Sequence, residues 1–300
     1  MNLRIKILYL VSLLLLVSCN QKKVAKDYLI DVIEFKELSK NKNVKIIDFR
    51  KPDAYHKGHV KNALNITRND IENTLLPYGG MMASKEKLEQ LFSSLGINNN
   101  DTLIVYDNKG LCDAARLWWI LKLYNFTNIK LVDGGLESFK RSHINFTKVK
   151  PTITPSNFTF LSDVNNKLFA SKKQIETAIN NGNIIIDTRT KNEYNGSVLK
   201  DGAYLKGKIP TSQFMDWANA INYSKDKKTK TIKELESIYN KILPNKNDTI
   251  YVYCHSGVRS AHTTFVLTQI LGYKNVKNYD GSWIEWSYYK SLMNENIIDN

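Results

Sequence analysis

Three landmarks in this chain occur twice, in the same order. V-K-I-I-D-F-R (residues 44–50), D-T-L-I-V-Y-D (101–107) and L-V-D-G-G (131–135) return as I-I-I-D-T-R (184–189), D-T-I-Y-V-Y-C (248–254) and N-Y-D-G-S (278–282). The separation is 147 residues for Asp101 to Asp248, for Asp107 to Cys254 and for Asp133 to Asp280. It is 139 for Asp48 to Asp187, so the second copy carries eight more residues ahead of its cysteine. A repeat this long means two domains of one fold, which 300 residues can supply.

The strands are continuous runs of Val and Ile, and helical patterns separate them. Such strands are covered on both faces, which implies a parallel sheet. The fold class is therefore α/β, with two domains, each a parallel sheet flanked by helices on both faces. Helical patterns span residues 84–95, 114–124, 172–180, 231–242 and 260–271, with Gly96 and Gly272 as two of the C-terminal stops. Pro151 and Pro155 mark a linker at 148–156 between domains at 31–147 and 157–300.

Residues 1–18 read as a leader. Arg4 and Lys6 precede an apolar run from Ile7 to Val17 that is too short to span a bilayer but suits a signal-peptide core. It stops at L-V-S-C, and a small residue followed at once by cysteine resembles the bacterial lipobox. That resemblance implies lipidation of Cys19, a polar tether over 19–30, and an anchor in the cell envelope of a bacterium, with the membrane touched through lipid only. The alternative is an ordinary secretory signal with an incidental cysteine. The formal charge is +14, but the lysines are scattered singly, without a basic stripe carrying aromatics. No nucleic-acid partner is expected from that pattern; anionic small molecules suit it better.

Cys112 and Cys254 remain in the folded part. A disulfide is one reading, and a core thiol beside a reactive one is the other. The repeat favours the second. Cys254 ends a strand and is followed by a short loop and a helix whose N-cap type is Ser260. Gly257 permits a tight curl, so the amides of His255, Ser256, Gly257, Val258, Arg259 and Ser260 are expected to converge on the sulfur. An amide ring at a helix start is an anion site. Cysteines so placed fall from about 8.5 to between roughly 3.5 and 7.5.

The D-T-R strand end, the V-Y-C-x-x-G-x-R-S loop and the D-G-S-W-x-E-W ending resemble the rhodanese family, specifically the tandem-domain thiosulfate sulfurtransferases, over about residues 28–290. The resemblance implies a catalytically silent first domain and a catalytic second one. Asp107 stands where the second copy has Cys254. It further implies that Cys254 takes sulfane sulfur from a small anionic donor, holds it as a persulfide, and passes it to a thiol or cyanide. Neither metal nor organic cofactor is called for. Two features depart from the mammalian pattern: Ser256 replaces a loop lysine, and T-K-N-E-Y (190–194) replaces a segment bearing an arginine. Arg259 resembles the arginine of bacterial loops of this kind, and it reads as an anion contact before it reads as a surface ion-pair partner.

Blander readings stand beside these. Asp187 and Arg189 either orient the loop from behind or form a structural ion pair. His255 reads as a rim residue before it reads as a base, and His262 as a packing or capping residue. Trp283 and Trp286 read as core, and Cys112 as a non-catalytic thiol. Two other functions compete: a cysteine phosphatase of related fold, and a lipid-anchored binding module without turnover. Phosphatase loops run C-x5-R, whereas Cys254 to Arg259 is C-x4-R, a ring better sized to one sulfur than to a phosphate.

Overall fold

A computed structural model describes residues 28–298, so the leader and Cys19 lie outside the described residues. The first unit contains β1 (Leu29–Ile30), β2 (Val44–Asp48), β3 (His59–Val60), β4 (Ala63–Asn65), β5 (Thr102–Tyr106) and β6 (Ile129–Val132). Strands β1, β6, β5, β2 and β4 lie side by side in that order, all parallel. After β7 (Phe146–Thr147), which pairs antiparallel with β3, the second unit repeats the plan. Its strands are β8 (Phe169–Ala170), β9 (Ile184–Asp187), β10 (Gln213–Phe214), β11 (Thr249–Tyr253) and β12 (Asn275–Tyr279). Their order, β8-β12-β11-β9-β10, is that of the first sheet.

The described residues form ten α-helices, five of them at the expected patterns. They are α1 (Val32–Leu38), α2 (Pro52–Lys57), α3 (Lys85–Ser94), α4 (Cys112–Leu123) and α5 (Gly135–Arg141), then α6 (Lys172–Asn180), α7 (Lys191–Tyr194), α8 (Ile232–Tyr239), α9 (Val258–Phe265) and α10 (Ser282–Ile298). Capping boxes open α6 with Ser171 and Gln174, α7 with Thr190 and Glu193, and α8 with Thr231 and Glu234. Because side chains alternate along a strand, each sheet faces two apolar layers. On β5, Leu103 and Val105 join Phe92 and Trp118, while Ile104 and Tyr106 join Phe35 and Phe139. On β11, Ile250 and Val252 face Leu235, while Tyr253 faces Trp283 and Trp286.

The two units meet helix to helix. Every residue of α4 except Lys122 is buried. A helix buried all round must have neighbours on all sides, and α9 of the second unit is one of them. Ala114, Ala115 and Trp118 share a cluster with Ala261 and Phe265, and the Trp118 and Phe265 rings meet edge-on at 5.0 Å.

Some boundaries differ from expectation. Leu29 and Ile30, placed in the tether, form β1 because their amides and carbonyls complete the sheet beside β6. The residues following the expected linker also stay with the first unit. Phe158 and Phe160 pack on Phe92, the Ser156 amide donates to the Ser93 carbonyl at 2.9 Å, and the Phe160 amide donates to Glu89 at 2.7 Å. The chain crosses to the second sheet only near β8.

Candidate active site

Strand β11 delivers Cys254 to the carboxyl edge of the second sheet, where α9 starts. The helix begins at Val258, two residues before the expected cap. Gly257, at φ +71°, occupies the N-cap and turns the chain early. A side chain there would be strained and would also have no room: a Cβ would stand 2.6 Å from the Asp280 carbonyl oxygen and 2.8 Å from Arg116 Nη1. Ser260 is therefore the third helical residue, and its amide and hydroxyl favour the ionised sulfur. The loop is also clamped from behind. The Ser282 hydroxyl accepts from the amides of Cys254 (3.1 Å) and Gly257 (3.0 Å) and donates to the Tyr279 carbonyl (2.8 Å). The amides of Trp283 and Ile284 donate to the carbonyls of Cys254 and His255, each at 3.0 Å. The start of α10 thus holds the Cys254 and His255 carbonyls and takes the Gly257 amide, which was expected at the sulfur, for Ser282; the amides that favour the thiolate are those of Ser256 and Ser260.

Cys254 is 1% exposed. Burial works against its ionisation, yet the Arg259 charge, the Ser260 hydroxyl and amide, and the Ser256 amide outweigh it. The thiol falls from an ordinary 9.0 to about 7. A sulfur in that state is substantially thiolate at neutral pH, the reactive form. Arg259 supplies its charge from within an ion pair: its two Nη atoms each donate to Glu193 at 2.7 Å. Burial disfavours the Glu193 carboxylate, but this pairing still holds it at about 2. A guanidinium so occupied cannot also grip a substrate anion with both arms, which changes the expected role of Arg259 from anion contact to fixed charge. Glu193 belongs to the T-K-N-E-Y segment and doubles as the capping residue of α7.

The other sequence candidates fall into place around this centre. His255 Nε2 bonds the Asp201 carbonyl at 2.9 Å, and burial first, then the Lys200 charge, lowers the ring to about 4. It is neutral at pH 7 and serves the wall. Ser256 lies against Gly80 of the first unit, where a Cβ would stand 2.6 Å from its own. Asp187 and Arg189 form a buried pair, 2.6 Å from Nη2 to Oδ2, with Tyr253 donating to the same carboxylate at 2.6 Å. Asp48, Arg50 and Tyr106 build the same constellation in the first unit. An arrangement present in a unit without the cysteine belongs to the fold, where it joins strand ends. His262 is fully buried, edge-on to Trp217 at 5.2 Å. Trp283 donates to the Leu205 carbonyl and, like Trp286, sits in the core. Cys112 is buried with Trp217, Ile221 and Val258, and burial pushes its thiol well up.

The sequence did not point to two cations whose charge reaches Cys254. Arg68, from the first unit, is bound to Asp113 at 2.6 Å and is 38% exposed, and its charge is felt by Cys254. Lys200 is exposed on the rim. Burial and then Arg259 lower its ammonium, while Glu193 and Cys254 pull it the other way. Neither lies in a motif. Lys200 sits in the segment that makes the second copy longer: Asp48 pairs with Asn65 across β2 and β4, whereas Asp187 pairs with the more distant Phe214 across β9 and β10.

The corresponding loop of the first unit is already full. Asp107 accepts from the amides of Lys109 (2.9 Å) and Leu111 (3.1 Å) at one oxygen, and Asp113 (2.9 Å) and Ala114 (3.1 Å) at the other. Its cup is one residue longer, because the left-handed cap is Leu111, four residues after Asp107, against three from Cys254 to Gly257. A π-helical turn at Val266–Ile270 restores the count in the second copy. The second helical residue, Arg259 in α9, is Asp113 in α4. The same architecture therefore holds a carboxylate in one unit and a thiol beside a cation in the other.

Comparison with known proteins agrees with this duplication. The rhodanese-like domain model matches residues 31–142 and 171–288. A putative thiosulfate sulfurtransferase of Saccharopolyspora erythraea is 32% identical over 251 residues, covering 81% of this chain and 86% of that protein. The thiosulfate sulfurtransferase of Corynebacterium glutamicum is 30% identical over 241 residues, covering 77% and 78%. Among solved structures, the rhodanese-fold protein SseA of Escherichia coli superposes with a TM-score of 0.74 at 25% identity, covering 85% of this chain and 98% of that one.

Proposed function

Since this chain belongs to the rhodanese family, we propose that it moves sulfane sulfur from thiosulfate, or a related anionic donor, to a thiophilic acceptor through a persulfide on Cys254. The observation that carries this reading is the contrast between the two loops: one amide cup is filled by its own carboxylate, and the other holds an ionisable thiol beside Arg259. The Cys254 thiolate attacks the outer sulfur of thiosulfate. A new S–S bond forms, the old one breaks, and sulfite leaves with the bonding electrons. The amides of Ser256 and Ser260 then face the outer sulfur of the persulfide. Lys200 and Arg68 supply positive potential at the rim for the departing anion. Cyanide or a thiolate next attacks the outer sulfur, taking it away and returning Cys254 as thiolate. Asp187 and Arg189 support the strand end beneath, and His255 lines the wall.

We place this activity at the bacterial cell envelope, on a lipid attached to Cys19. The L-V-S-C ending of the leader supports that placement. Among the described residues no helix is long and apolar enough to cross a membrane. Incorporation of labelled palmitate, abolished in Cys19→Ser, tests the anchor.

For the chemistry, the protein is incubated with thiosulfate and weighed intact, then given cyanide. A gain of one sulfur and release of thiocyanate, both lost in Cys254→Ser, are expected. No sulfur uptake together with hydrolysis of an aryl phosphate would move the protein to the phosphatases. Neither activity would leave a binding module.

A further inference from the structure

The silent unit reaches into the cysteine loop through one buried ion pair. Arg116 of α4 and Asp280, just past β12, are each 1% exposed and lie 2.6 Å apart. Arg116 Nη1 donates to the Gly257 carbonyl at 3.4 Å and Nη2 to the Gly80 carbonyl at 3.1 Å, and its guanidinium lies over the Trp119 ring at 4.8 Å. Asp280 Oδ2 accepts from the Met82 amide at 3.0 Å, and Asn278 Nδ2 donates to the same Gly257 carbonyl at 3.0 Å. The first unit thus grips the N-cap of α9 from behind, at a glycine whose carbonyl is its handle.

The peptide joining Gly257 to Val258 is trans and planar. Its N–H therefore points opposite to its C=O. The carbonyl accepts from Arg116, from Asn278 and, along the helix, from the Ala261 amide at 3.3 Å, so these contacts together fix the plane of the peptide that carries the Val258 amide. We propose that Arg116, held by Asp280, is a positioning residue for the cysteine loop, so that the catalytically silent unit sets how well the cup stabilises the thiolate. This rests on the sulfurtransferase reading only for its purpose, since the thiolate is measurable without any sulfur donor. The charged groups facing Cys254 are Arg259 from its own helix, Lys200 from the rim and Arg68 from the first unit. All three are left untouched by the test.

The test is the pH dependence of Cys254 alkylation by iodoacetamide between pH 5.5 and 10, read at the Cys254 peptide by mass spectrometry on the full chain. Arg116→Lys keeps the charge but cannot reach Asp280, Gly257 and Gly80 together. Arg116→Met with Asp280→Asn removes both charges in matching shapes, leaving no lone buried ion. Both are expected to raise the midpoint, with thiolate at pH 7 reduced about two-fold or more from a starting value near half. An unchanged midpoint in Arg116→Lys overturns the proposal. So does a shift confined to the double variant, because that would make Arg116 a distant charge and not a positioner. If the double variant fails to fold, Arg116→Lys decides alone. Persistent sulfur loading with an unchanged midpoint would sink this inference and spare the sulfurtransferase reading; a shifted midpoint without loading would do the reverse.

Discussion

The thiolate's dependence on Arg259 is open to direct measurement. Replacing Arg259 alone would strand the buried Glu193 carboxylate, which costs several kcal/mol. The useful variant is therefore Arg259→Met with Glu193→Gln. Apart from burial, Arg259 is the largest influence on Cys254, and together with the amides it brings the thiol from 9.0 to about 7. Without it the midpoint should rise by about one to two units, since the amide and hydroxyl bonds remain. At pH 7 the ionised fraction then drops from about a half to between about a tenth and a hundredth. A more basic thiolate is also a better nucleophile, with a Brønsted slope of about 0.4–0.5. That recovers about three-fold per unit, so the alkylation rate at pH 7 should fall only about two- to six-fold. Above about pH 10 the variant should react faster than the parent, a crossing that simple misfolding would not produce. Iodoacetamide suits the assay because it is uncharged, so donor binding does not enter. A midpoint that stays near 7 in the folded variant would refute the assignment of the cation as the main stabiliser and pass the role to the amides.

Three other outcomes are expected. The Cys254 thiol is depressed on folding, so its contribution is complete above the unfolded value and is lost as pH falls through the folded one. Relative to Cys254→Ser, the parent should gain about 2 kcal/mol between pH 7 and pH 9.5 and nothing below pH 6, read from urea melts of the two. Asp107→Cys, made on Cys254→Ser, should take up no sulfur from thiosulfate by intact mass, because Asp113 stands in the helical place that Arg259 holds in the other unit. Phe265→Ala should destabilise the junction of the units by about 3–5 kcal/mol, seen as an earlier or split denaturation curve, since the ring is fully buried against Trp118.

Much of the architecture can be read from one dimension because the forces that build it are local or periodic. The Val and Ile runs, the Asp-x-Arg strand ends and the 147-residue spacing announce two parallel sheets of the same order. The Cys254 loop is equally legible, since a strand, a glycine and a helix start suffice to make an amide cup. The helix start itself was less so. Gly257 takes the cap at φ +71° because Ser282, Trp283 and Ile284 hold the loop from 25 or more residues away in sequence. The even spacing of the copies also hides a difference, a shorter cup offset by a π turn, which only a backbone trace exposes.

What the linear order of residues determined by itself was the fold, the duplication, and which copy has a cysteine at the end of its central strand. These depend on side-chain type and period, and neighbours along the chain decide them. Only the folded molecule decided which charges the sulfur feels. Arg259 turned out to be shared with Glu193, and Lys200, Arg68 and Arg116 reach the loop from separate segments, two of them from the first unit. Electrostatic and hydrogen-bond energies depend on separation in space and on burial, and a sequence records neither for residues that meet across an interface.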